Sequence, residues 1–422
     1  MGAEDKSVIT AEIVIVGGGI AGLATALGLH RSGLRSLVLE SSDRLRVTGA
    51  AFATWTNAWR ALDALGIGDI LRSHHVRHQG LVTMSTEMGI RTSTIPFMNK
   101  DGGSGEHEVR CVKRKVLLET LAKELPENTI RFSSKLVSIE DSGHFKLLHL
   151  ADGSVIKAKV VIGCDGVNSP VSRWLGFKKA AYVGRSAMRG YAVFEGGHGF
   201  EPDFMLFSGH GARYGILPCD ETSLFWFFTF VPSGKDKQIE ENPARMKEFV
   251  LNNLGKVPDE IRNVFASTKE DDIICSPLRN RAPWEILFGN VSKDNVCVTG
   301  DAFHPMTPDL GQGACSALED AVVLARCLAE ALSDRSVPDN RHPEEEVEHE
   351  RIKMALKKYA KERKWRGADL VGTAHVLGRI QQSDERAISF IRDKFLSPIL
   401  AAAVVKRTKF DCGQLKTASI PV

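Results

Sequence analysis

The chain has few of the features that mark metal-binding, disulfide-rich or nucleic-acid-binding proteins. Its eight cysteines are scattered and form no C-x-x-C pair, which argues against a metal site and against a disulfide framework. The net charge is only +3, and no basic stripe is interleaved with aromatic residues, so nothing predicts a nucleic-acid partner. The sequence also shows no internal repeat and no low-complexity segment.

Long hydrophobic runs are also missing. None reaches the ~18 residues of a membrane-spanning helix, and the last candidate, Leu396 to Val405, is short and contains Pro398. The first six residues lack the apolar core of a signal peptide and the Arg/Ser-rich bias of a transit peptide. We therefore expect a cytoplasmic protein with reduced thiols. At 422 residues, 43% of them hydrophobic, the chain is long enough for two or three domains.

A glycine-rich turn between a strand and a helix is the most informative feature that the sequence does contain. Residues 13–16 are apolar and β-branched, which predicts a buried strand. Gly17, Gly19 and Gly22 then match G-x-G-x-x-G. The first glycine allows a tight turn, the second lets a pyrophosphate approach the backbone, and the third lets the helix pack closely. The N–H groups and positive dipole end of that helix would face the phosphates.

An acid follows this turn at the distance that dinucleotide binding requires. A second predicted strand, residues 36–40, ends in Glu40, eighteen residues after Gly22. The spacing is close to the ~20 expected for a carboxylate that holds a ribose hydroxyl. A carboxylate would repel a 2′-phosphate, so this site should hold NAD or FAD and not NADP. An ordinary βαβ turn is the less favoured interpretation, and the motif alone does not choose between NAD and FAD.

Two later stretches again place an acid and a helix start at the end of a strand. In the first, an apolar strand ends at Asp165 and Gly166, and Asn168 or Ser169 can cap the next helix. In the second, an aspartate ends a buried strand, two prolines stiffen the loop, and glycines let backbone N–H groups approach a flat ligand. A predicted helix over 314–332 would aim its positive end at that ligand. The residues of the second stretch are Asp301, Pro305, Pro308, Gly311, Gln312 and Gly313.

The remaining segments predict the surroundings of these stretches. Aromatic residues and alternation dominate residues 186–230, which predicts an antiparallel sheet that forms one wall of a substrate chamber. Most of its aromatic residues should be core, because only alternate ones can face a cavity. The charge-rich residues 344–366 predict a long, solvated outer helix.

In this order, the three stretches resemble the single-component, FAD-dependent aromatic hydroxylases, such as para-hydroxybenzoate and salicylate hydroxylases. Plant monooxygenases related to zeaxanthin epoxidase share the pattern. The amino-acid sequences of residues 55–66 and 163–169 are most similar to that plant branch. The resemblance spans residues 11 to about 335. It implies an α/β fold, with a Rossmann-like FAD-binding domain of mixed sheet, an antiparallel-sheet substrate domain and C-terminal helices.

The same resemblance implies how the chain is divided. We expect a discontinuous FAD-binding domain, a substrate-binding β-sheet domain and a C-terminal helical region. The FAD-binding domain would comprise residues 1–75, 105–180 and 270–335. The substrate-binding domain would comprise residues 76–104 and 181–269, and the C-terminal helical region residues 336–422.

The resemblance also implies the cofactors and the residues that bind them. FAD would be the bound cofactor, with NADH or NADPH as a transient co-substrate that has no separate Rossmann domain. Arg114 falls where the family keeps a flavin-contacting arginine, and Asp165 falls in a motif linked to both FAD and the nicotinamide. The implied FAD-binding residues are Gly17, Gly19, Gly22, Glu40, Arg114, Asp165, Gly166, Asp301, Pro305, Gly311, Gln312 and Gly313.

The implied reaction needs few side chains, because the cofactor carries the difficult chemistry. NAD(P)H would reduce FAD, O2 would add at the flavin C4a, and the hydroperoxide would hydroxylate or epoxidise a small aromatic, isoprenoid or other electron-rich substrate. A base that deprotonates a phenol could be His304 or Tyr214. A structural hydrogen bond for His304 and core packing for Tyr214 are the favoured interpretations.

Other activities stay open from the sequence. A halogenase is disfavoured because its W-x-W-x-I-P motif is absent. The segment most similar to that motif is residues 225–228. Epoxidation of a long isoprenoid remains open, as does a flavin-binding oxidoreductase or scaffold that does not hydroxylate. A plain NAD-dependent dehydrogenase would purify without the yellow absorption of oxidised flavin, which distinguishes it from every flavin-binding alternative.

Asp301 provides the first test. We expect Asp301→Ala to purify largely without flavin, because the carboxylate that accepts hydrogen bonds from sugar hydroxyls is lost. The measurement is the ratio of flavin absorbance to protein absorbance after purification, and an unchanged ratio would count against the assigned role.

Overall fold

The computed structural model describes residues 9–47, 51–97, 107–233, 242–333, 343–381 and 396–416. Seventeen strands fall in this part of the chain: β1 (Ile9–Val16), β2 (Leu37–Leu39), β3 (Ala51–Thr54), β4 (Gly80–Ser85), β5 (Ile90–Pro96), β6 (Arg110–Lys113), β7 (Ile130–Arg131), β8 (Leu136–Ser142), β9 (Phe145–Leu150), β10 (Val155–Gly163), β11 (Ala181–Val193), β12 (Asp203–Gly209), β13 (Ala212–Pro218), β14 (Ser223–Phe230), β15 (Ile274–Asn280), β16 (Ser292–Lys293) and β17 (Val296–Val298).

The same described ranges contain these α-helices: α1 (Ile20–Arg31), α2 (Thr56–Ala64), α3 (Gly68–Arg72), α4 (Arg114–Lys123), α5 (Pro170–Trp174), α6 (Pro243–Asn252), α7 (Asp259–Ala266), α8 (Pro283–Phe288), α9 (Gly313–Ser333), α10 (Glu344–Gln381) and α11 (Ser397–Lys406).

The first sheet has eight strands and is mixed, as predicted. Its main path runs β16-β17-β10-β1-β2-β7, and the hairpin of β8 and β9 extends it from the start of β10. Strand β1 pairs in parallel with β2 and β10, and β10 pairs in parallel with β17. The carboxyl ends of β1, β10 and β17 therefore meet at one edge, which is where ligands bind in parallel α/β sheets.

The predicted opening βαβ unit is confirmed by β1, α1 and β2. Residues 20–29 of α1 are all buried, because the helix lies between the sheet and α9. The two helices pack closely: a Cβ built on Gly28 would lie 2.9 Å from the Cβ of Ala325. The small residues of this helix are thus required by packing on both of its sides.

The second sheet has seven strands in the order β15-β11-β14-β13-β12-β4-β5. All its pairings are antiparallel except that of β12 with β4. The prediction of an antiparallel sheet over 186–230 is confirmed. Strand β15 hydrogen-bonds to β11 of this sheet, although it falls in the predicted FAD-binding segment 270–335. The division of the chain into three domains stays a prediction.

One face of the second sheet packs on α6 and α7 and forms a core of its own. Alternate strand residues face it, because successive side chains of a strand point to opposite sides. The large members of this second core are Met188, Phe207, Tyr214, Trp226, Phe228, Phe230, Val250 and Phe265, all of them 5% exposed or less. The other face of the sheet is directed toward the first sheet.

Helix α10 differs from the solvated helix predicted over 344–366. It is longer, and one of its faces is buried against the body of the protein. That face consists of Ile352, Leu356, Tyr359, Arg363, Leu370, Val371 and Ala374. The sequence pattern did not show this buried face, because charged residues are frequent along the helix and one of the buried residues is itself an arginine.

The late apolar stretch that the sequence analysis singled out forms the ten-residue helix α11. Within the described ranges, no helix has both the length and the apolar composition that a membrane crossing requires.

A buried ionic network joins α10 to α9. The Arg363 side chain is wholly buried and donates from Nε to Asp320 at 2.6 Å and from Nη2 to Glu319 at 2.6 Å. Arg366 adds a hydrogen bond of 2.8 Å to Glu319. Burial alone would raise the pKa of Glu319 and Asp320, but the nearby cations hold both pKa values below their usual range. Each buried charge in this network therefore has a partner of opposite sign.

We predict that Arg363→Met lowers the free energy of unfolding by about 3–5 kcal/mol, because Glu319 and Asp320 would stay buried with too few cations. Lys358→Met is the matched control on the same helix. Lys358 pairs with Glu330 at the surface, so its loss should change stability by no more than about 1 kcal/mol. Chemical denaturation of both variants gives the comparison, and equal effects would contradict the proposed role of burial.

Candidate functional site

The glycine-rich turn after β1 is built by close packing at two of its three glycines. Gly17 has φ +107°, and a Cβ there would lie 2.5 Å from the carbonyl oxygen of Cys164. A Cβ at Gly22 would lie 1.9 Å from the carbonyl oxygen of Gly17. A Cβ at Gly19 would meet no atom within 4 Å, because this glycine borders an open cavity. Gly19 thus leaves space for a ligand to contact the protein backbone.

Glu40 stabilises the same turn through hydrogen bonds to its backbone. Its carboxylate accepts hydrogen bonds from the backbone N–H of Gly18 and of Ser42, each at 2.8 Å. The residue is only 7% exposed. The structure therefore shows Glu40 as a support of the glycine turn, and its contact with a ribose stays a prediction.

Asp165 and Gly166 follow β10 directly, as the sequence pattern indicated. Burial raises the pKa of Asp165 to about 6, and its Oδ1 has no hydrogen-bond partner among the described residues. Ser169 is the N-cap of α5, since its hydroxyl accepts from the N–H of Ser172 at 2.8 Å, which confirms the predicted cap. Gly166 has φ +78° and lines the cavity.

Asp301 follows β17, at the same edge of the first sheet. The preceding Gly300 has φ +56° and donates its N–H to Asp320 at 2.9 Å, which fixes the turn. The Asp301 side chain is exposed toward the cavity that it lines. Surrounding protein nevertheless raises its pKa, against the lowering effect of His304, Arg114 and a further arginine, Arg189.

The loop that leads into α9 borders the cavity with residues 306–311 and Gly313, while Pro305 and Gln312 are not part of the lining. Gly311, with φ +61°, and Gly313, the first residue of α9, both line the cavity. Gln312 is wholly buried and accepts from Asn57 Nδ2 at 2.8 Å. Pro305 accepts from a backbone N–H at 3.1 Å through its carbonyl oxygen. Pro305 and Gln312 thus support this loop, while its two glycines offer backbone to a ligand.

Arg114 is the first residue of α4 and also lines the cavity. Its Nε is buried and has no hydrogen-bond partner among the described residues. Burial lowers the pKa of this guanidinium, and the charge of Asp301 acts in the opposite direction. Arg114 and Asp301 thus lie close enough to influence each other across the cavity.

The two residues named as candidate bases do not line the cavity. Tyr214 lies on the opposite face of the second sheet, and its hydroxyl donates to the carbonyl oxygen of Leu254 at 2.5 Å. Burial raises its pKa. His304 is 0% exposed, and its Nε2 lies 2.7 Å from Asp320 Oδ2. Both side chains hold the fold together, as the favoured interpretations from the sequence had it.

The cavity is lined by six of the twelve predicted FAD-binding residues. Its volume is about 520 Å³, within the range usual for small-molecule sites. The N-termini of α1 and α9 both open onto it, through Ile20 and Ala314. The predicted residues along its lining are Gly19, Arg114, Gly166, Asp301, Gly311 and Gly313, while Gly17, Gly22, Glu40, Gln312 and Pro305 support them from behind.

The second sheet supplies the opposite wall, which is mainly apolar. Its apolar cavity-facing residues are Leu81, Phe204, Leu206, Leu217, Phe225, Phe227, Ile274 and Leu278. They alternate along their strands with the residues of the second core, so the sheet separates the two environments. This face of the sheet thus lies across the cavity from the glycine-rich turns, and its role as a substrate wall stays a prediction.

Three polar features of the cavity were missed by the sequence analysis. Asp309, wholly buried, binds Arg185 at 2.7 Å and Arg213 at 3.3 Å and so ties the α9 loop to the second sheet. Trp55 lines the cavity, with an indole N–H that has no partner among the described residues. Arg189 points into the cavity from β11. The alternation of side chains along β11 and β13 was the available signal for these residues. Which of the two alternate sets faces the cavity depends on the strand register, which the sequence does not give.

The residues present fit FAD. Two helix N-termini at the carboxyl edge of a parallel sheet provide N–H groups for a diphosphate. Gly19 leaves open space where a side chain would obstruct it. Donors and acceptors without protein partners, at Arg114, Asp165 and Trp55, are available to a polar ligand.

Comparisons with known proteins agree with the binding of FAD. The family described as "FAD binding domain" matches residues 10–353. Monooxygenase 2 of Arabidopsis thaliana is 51% identical over 404 residues, which cover 96% of this chain and 98% of that protein. The chloroplastic zeaxanthin epoxidase of an Oncidium hybrid is 28% identical over 86% of this chain and 54% of its own length.

Among solved structures, HpxO of Klebsiella pneumoniae, complexed with FAD and uric acid, has a similar fold. The TM-score is 0.78 at 22% sequence identity, and the match covers 95% of this chain and 96% of that one. At this identity the likeness concerns the fold alone, and it supports the arrangement of two facing sheets described above.

The contrast between Gly19 and Gly22 gives a test of the cavity. Gly19→Ala should change the free energy of unfolding of the flavin-free protein by less than about 1 kcal/mol, because its methyl group meets open space. It should still lower flavin content, because that space is the proposed approach of the diphosphate. Gly22→Ala should cost at least about 1–3 kcal/mol through overpacking.

Both glycine variants are compared by chemical denaturation after flavin removal and by flavin absorbance after purification. Full flavin content in Gly19→Ala would contradict the placement of the diphosphate at this turn.

Proposed function

The chain belongs to the FAD-binding family of flavin-dependent monooxygenases, and from this premise we propose that it uses NAD(P)H and O2 to oxygenate a small organic substrate. The substrate is an aromatic or other electron-rich molecule, which the enzyme hydroxylates or epoxidises. FAD is the resident cofactor, and NADH or NADPH binds transiently as co-substrate.

One observation carries the proposal. A single cavity is bounded on one side by Gly19, Asp301 and Gly311, and on the other by a sheet face that includes Phe225 and Phe227. The first wall offers backbone N–H groups and a carboxylate, which suit a polar cofactor. The second wall is apolar and aromatic, which suits a planar organic substrate. Cofactor and substrate would therefore meet inside one cavity.

When bound, FAD would supply the redox chemistry: electrons from NAD(P)H and the activation of O2 by the C4a route that the resemblance implies. The chain holds and surrounds it. The N-terminus of α9 directs its positive dipole end at the cavity, where it would stabilise negative charge on a reduced ring system. Asp301 would accept hydrogen bonds from hydroxyl groups of the cofactor.

The second sheet would exclude water and orient the substrate. Phe204, Leu206, Leu217, Phe225 and Phe227 present side chains that cannot donate protons, so reactive oxygen species near them are not quenched by the wall. The salt bridges of Asp309 to the sheet hold this wall at a fixed distance from the α9 loop. A rigid spacing of this kind favours one orientation of the bound molecule.

Proton transfer in the proposed reaction does not use Tyr214 or His304. Tyr214 lies in the second core, and His304 is bonded to Asp320 away from the cavity. Both would stabilise the fold. The Tyr214 hydroxyl donates to the carbonyl oxygen of Leu254, and the backbone N–H of His304 donates to Gly300 in the turn that carries Asp301. A phenolic substrate would then lose its proton to water.

We predict that phenols, benzoates or isoprenoids will stimulate NAD(P)H oxidation by the purified flavoprotein. With ¹⁸O2 as the gas, mass spectrometry should find one labelled oxygen atom in the organic product. Measuring NADH and NADPH in parallel identifies the preferred reductant.

Hydrogen peroxide is measured alongside, because an uncoupled oxidase also consumes NAD(P)H. If peroxide accounts for all the oxidised NAD(P)H with every substrate class, and no product carries the label, the monooxygenase proposal is contradicted. Asp301→Ala, which should lack flavin, is the negative control.

A further inference from the structure

Cys111 and Cys219 are buried side by side between two separate sheets. Cys111 lies on β6, which pairs with β3 to form a two-stranded ribbon, and Cys219 directly follows β13 of the second sheet. Their sulfur atoms are 3.3 Å apart, and both residues are 0% exposed. All eight cysteines are free thiols in the structure. The two sulfur atoms would have to approach by only about 1.3 Å to reach the bonding distance of about 2.05 Å.

The backbone on both sides of this thiol pair is held in place. Lys113, two residues after Cys111, forms a salt bridge with Asp220, which follows Cys219. The backbone N–H of Cys219 donates to the carbonyl oxygen of Ser223 at 2.9 Å, so this residue continues the pairing of β13 with β14. The two thiols are therefore brought together by contacts that do not involve their sulfur atoms.

Both side chains point to the side of their strands on which the cavity lies. Cys111 is directly opposite Ala53 in the register of β6 with β3, and directly opposed residues share a face. Cys219 lies two residues beyond Leu217, and alternate residues of an extended chain point to the same face. Ala53 and Leu217 both line the cavity. The thiol pair thus lies next to the cavity, where the ribbon meets the second sheet.

The surroundings of the pair make it slow to oxidise and protect it from excess oxidation. Burial raises the pKa of Cys111 well above its usual range, and Lys113 acts in the opposite direction. Because the thiolate is the form that attacks a peroxide, the first step is slow. A sulfenic acid formed on either sulfur would already touch a second thiol, which converts it to a disulfide before further oxidation.

We propose that hydrogen peroxide converts Cys111 and Cys219 into a reversible disulfide, which covalently joins the β3–β6 ribbon to the second sheet beside the cavity. One thiol loses its proton and attacks a peroxide oxygen, the O–O bond breaks, and a sulfenic acid and water form. The second sulfur attacks the sulfenic sulfur, the S–O bond breaks as the S–S bond forms, and the released hydroxide leaves as water with the remaining thiol proton. Two thiols are oxidised by two electrons, and one peroxide is reduced to two waters.

The disulfide would hold together two segments that are far apart in sequence. Residues 111 and 219 are separated by 108 positions, so the cross-link closes a long loop and restricts the unfolded chain strongly. It also prevents the ribbon from moving away from the second sheet. We therefore expect the oxidised protein to unfold at a temperature at least about 3 °C higher than the reduced protein.

The experiment treats the FAD-loaded wild type with excess hydrogen peroxide. Remaining thiols are alkylated under denaturing conditions, and the protein is digested without reduction and analysed by mass spectrometry. We expect a cross-linked pair of peptides that contain Cys111 and Cys219, lighter by two hydrogen atoms than the two reduced peptides together. Dithiothreitol should remove the cross-link. Scanning calorimetry of the reduced, oxidised and re-reduced protein should show the rise in unfolding temperature and its reversal.

Cys111→Ala and Cys219→Ala should each abolish both the cross-link and the rise in unfolding temperature. The thiol that remains has no partner to resolve its sulfenic acid, so dimedone should label it after peroxide treatment. Cys327→Ala is the matched control, because Cys327 is a buried cysteine of α9, in another part of the fold. It should keep the cross-link and the rise. If an alanine variant does not fold, the peptide map and calorimetry of the wild type decide alone.

Peroxide treatment that leaves Cys111 and Cys219 alkylatable, or that joins either of them to another cysteine, overturns the proposal. So does a cross-link without a rise in unfolding temperature, or a rise that persists in both alanine variants. The outcome is separable from the proposed function, because the oxidant is added from outside. A Cys111–Cys219 disulfide in a protein that incorporates no ¹⁸O would support the inference and contradict the monooxygenase reaction, and labelled products from a protein that forms no such disulfide would do the reverse.

Discussion

The arrangement of the cofactor loops depends on two adjacent carboxylates buried in α9. Asp320 receives the N–H of Gly300 at 2.9 Å and so fixes the turn that carries Asp301. Glu319 accepts from Asn57, which also holds Gln312 at 2.8 Å. Burying two carboxylates side by side is expensive unless cations and donors surround them, and Arg363 from α10 is the cation that both share. Helix α10 therefore supports the loops of the candidate site, although none of its described residues lines the cavity.

A second constraint is the strict alternation of the second sheet. The same strand contributes Phe225 and Phe227 to the cavity and Trp226 and Phe228 to a separate core. A large apolar core on the far face keeps the sheet rigid, and the salt bridges of Asp309 set its distance from the α9 loop. The cavity is thus held open between two firmly packed layers. Two arginines, Arg189 and Arg213, interrupt its apolar wall, and Arg213 is paired with Asp309.

Local patterns in the sequence predicted the parts of the site that depend on neighbouring residues. The strand, glycine turn and helix from Ile13 onward, the Ser169 cap and the start of α9 near Gly313 were all predicted, because each is specified by spacing within a few residues. The position of Arg189 was not, since facing the cavity or the second core depends on strand register. The burial of Arg363 was also missed, because its partners in α9 lie more than forty residues away.

The central claim is that a flavin ring lies between the Asp301–Gly313 segment and the Phe225–Phe227 face of the second sheet. A crystal structure of the purified yellow protein tests it most directly. The account predicts electron density for the ring system in the 520 Å³ cavity, with its polar edge toward the N-terminus of α9. Density for the ring outside this cavity, or a cavity filled by side chains of the second sheet, would contradict it.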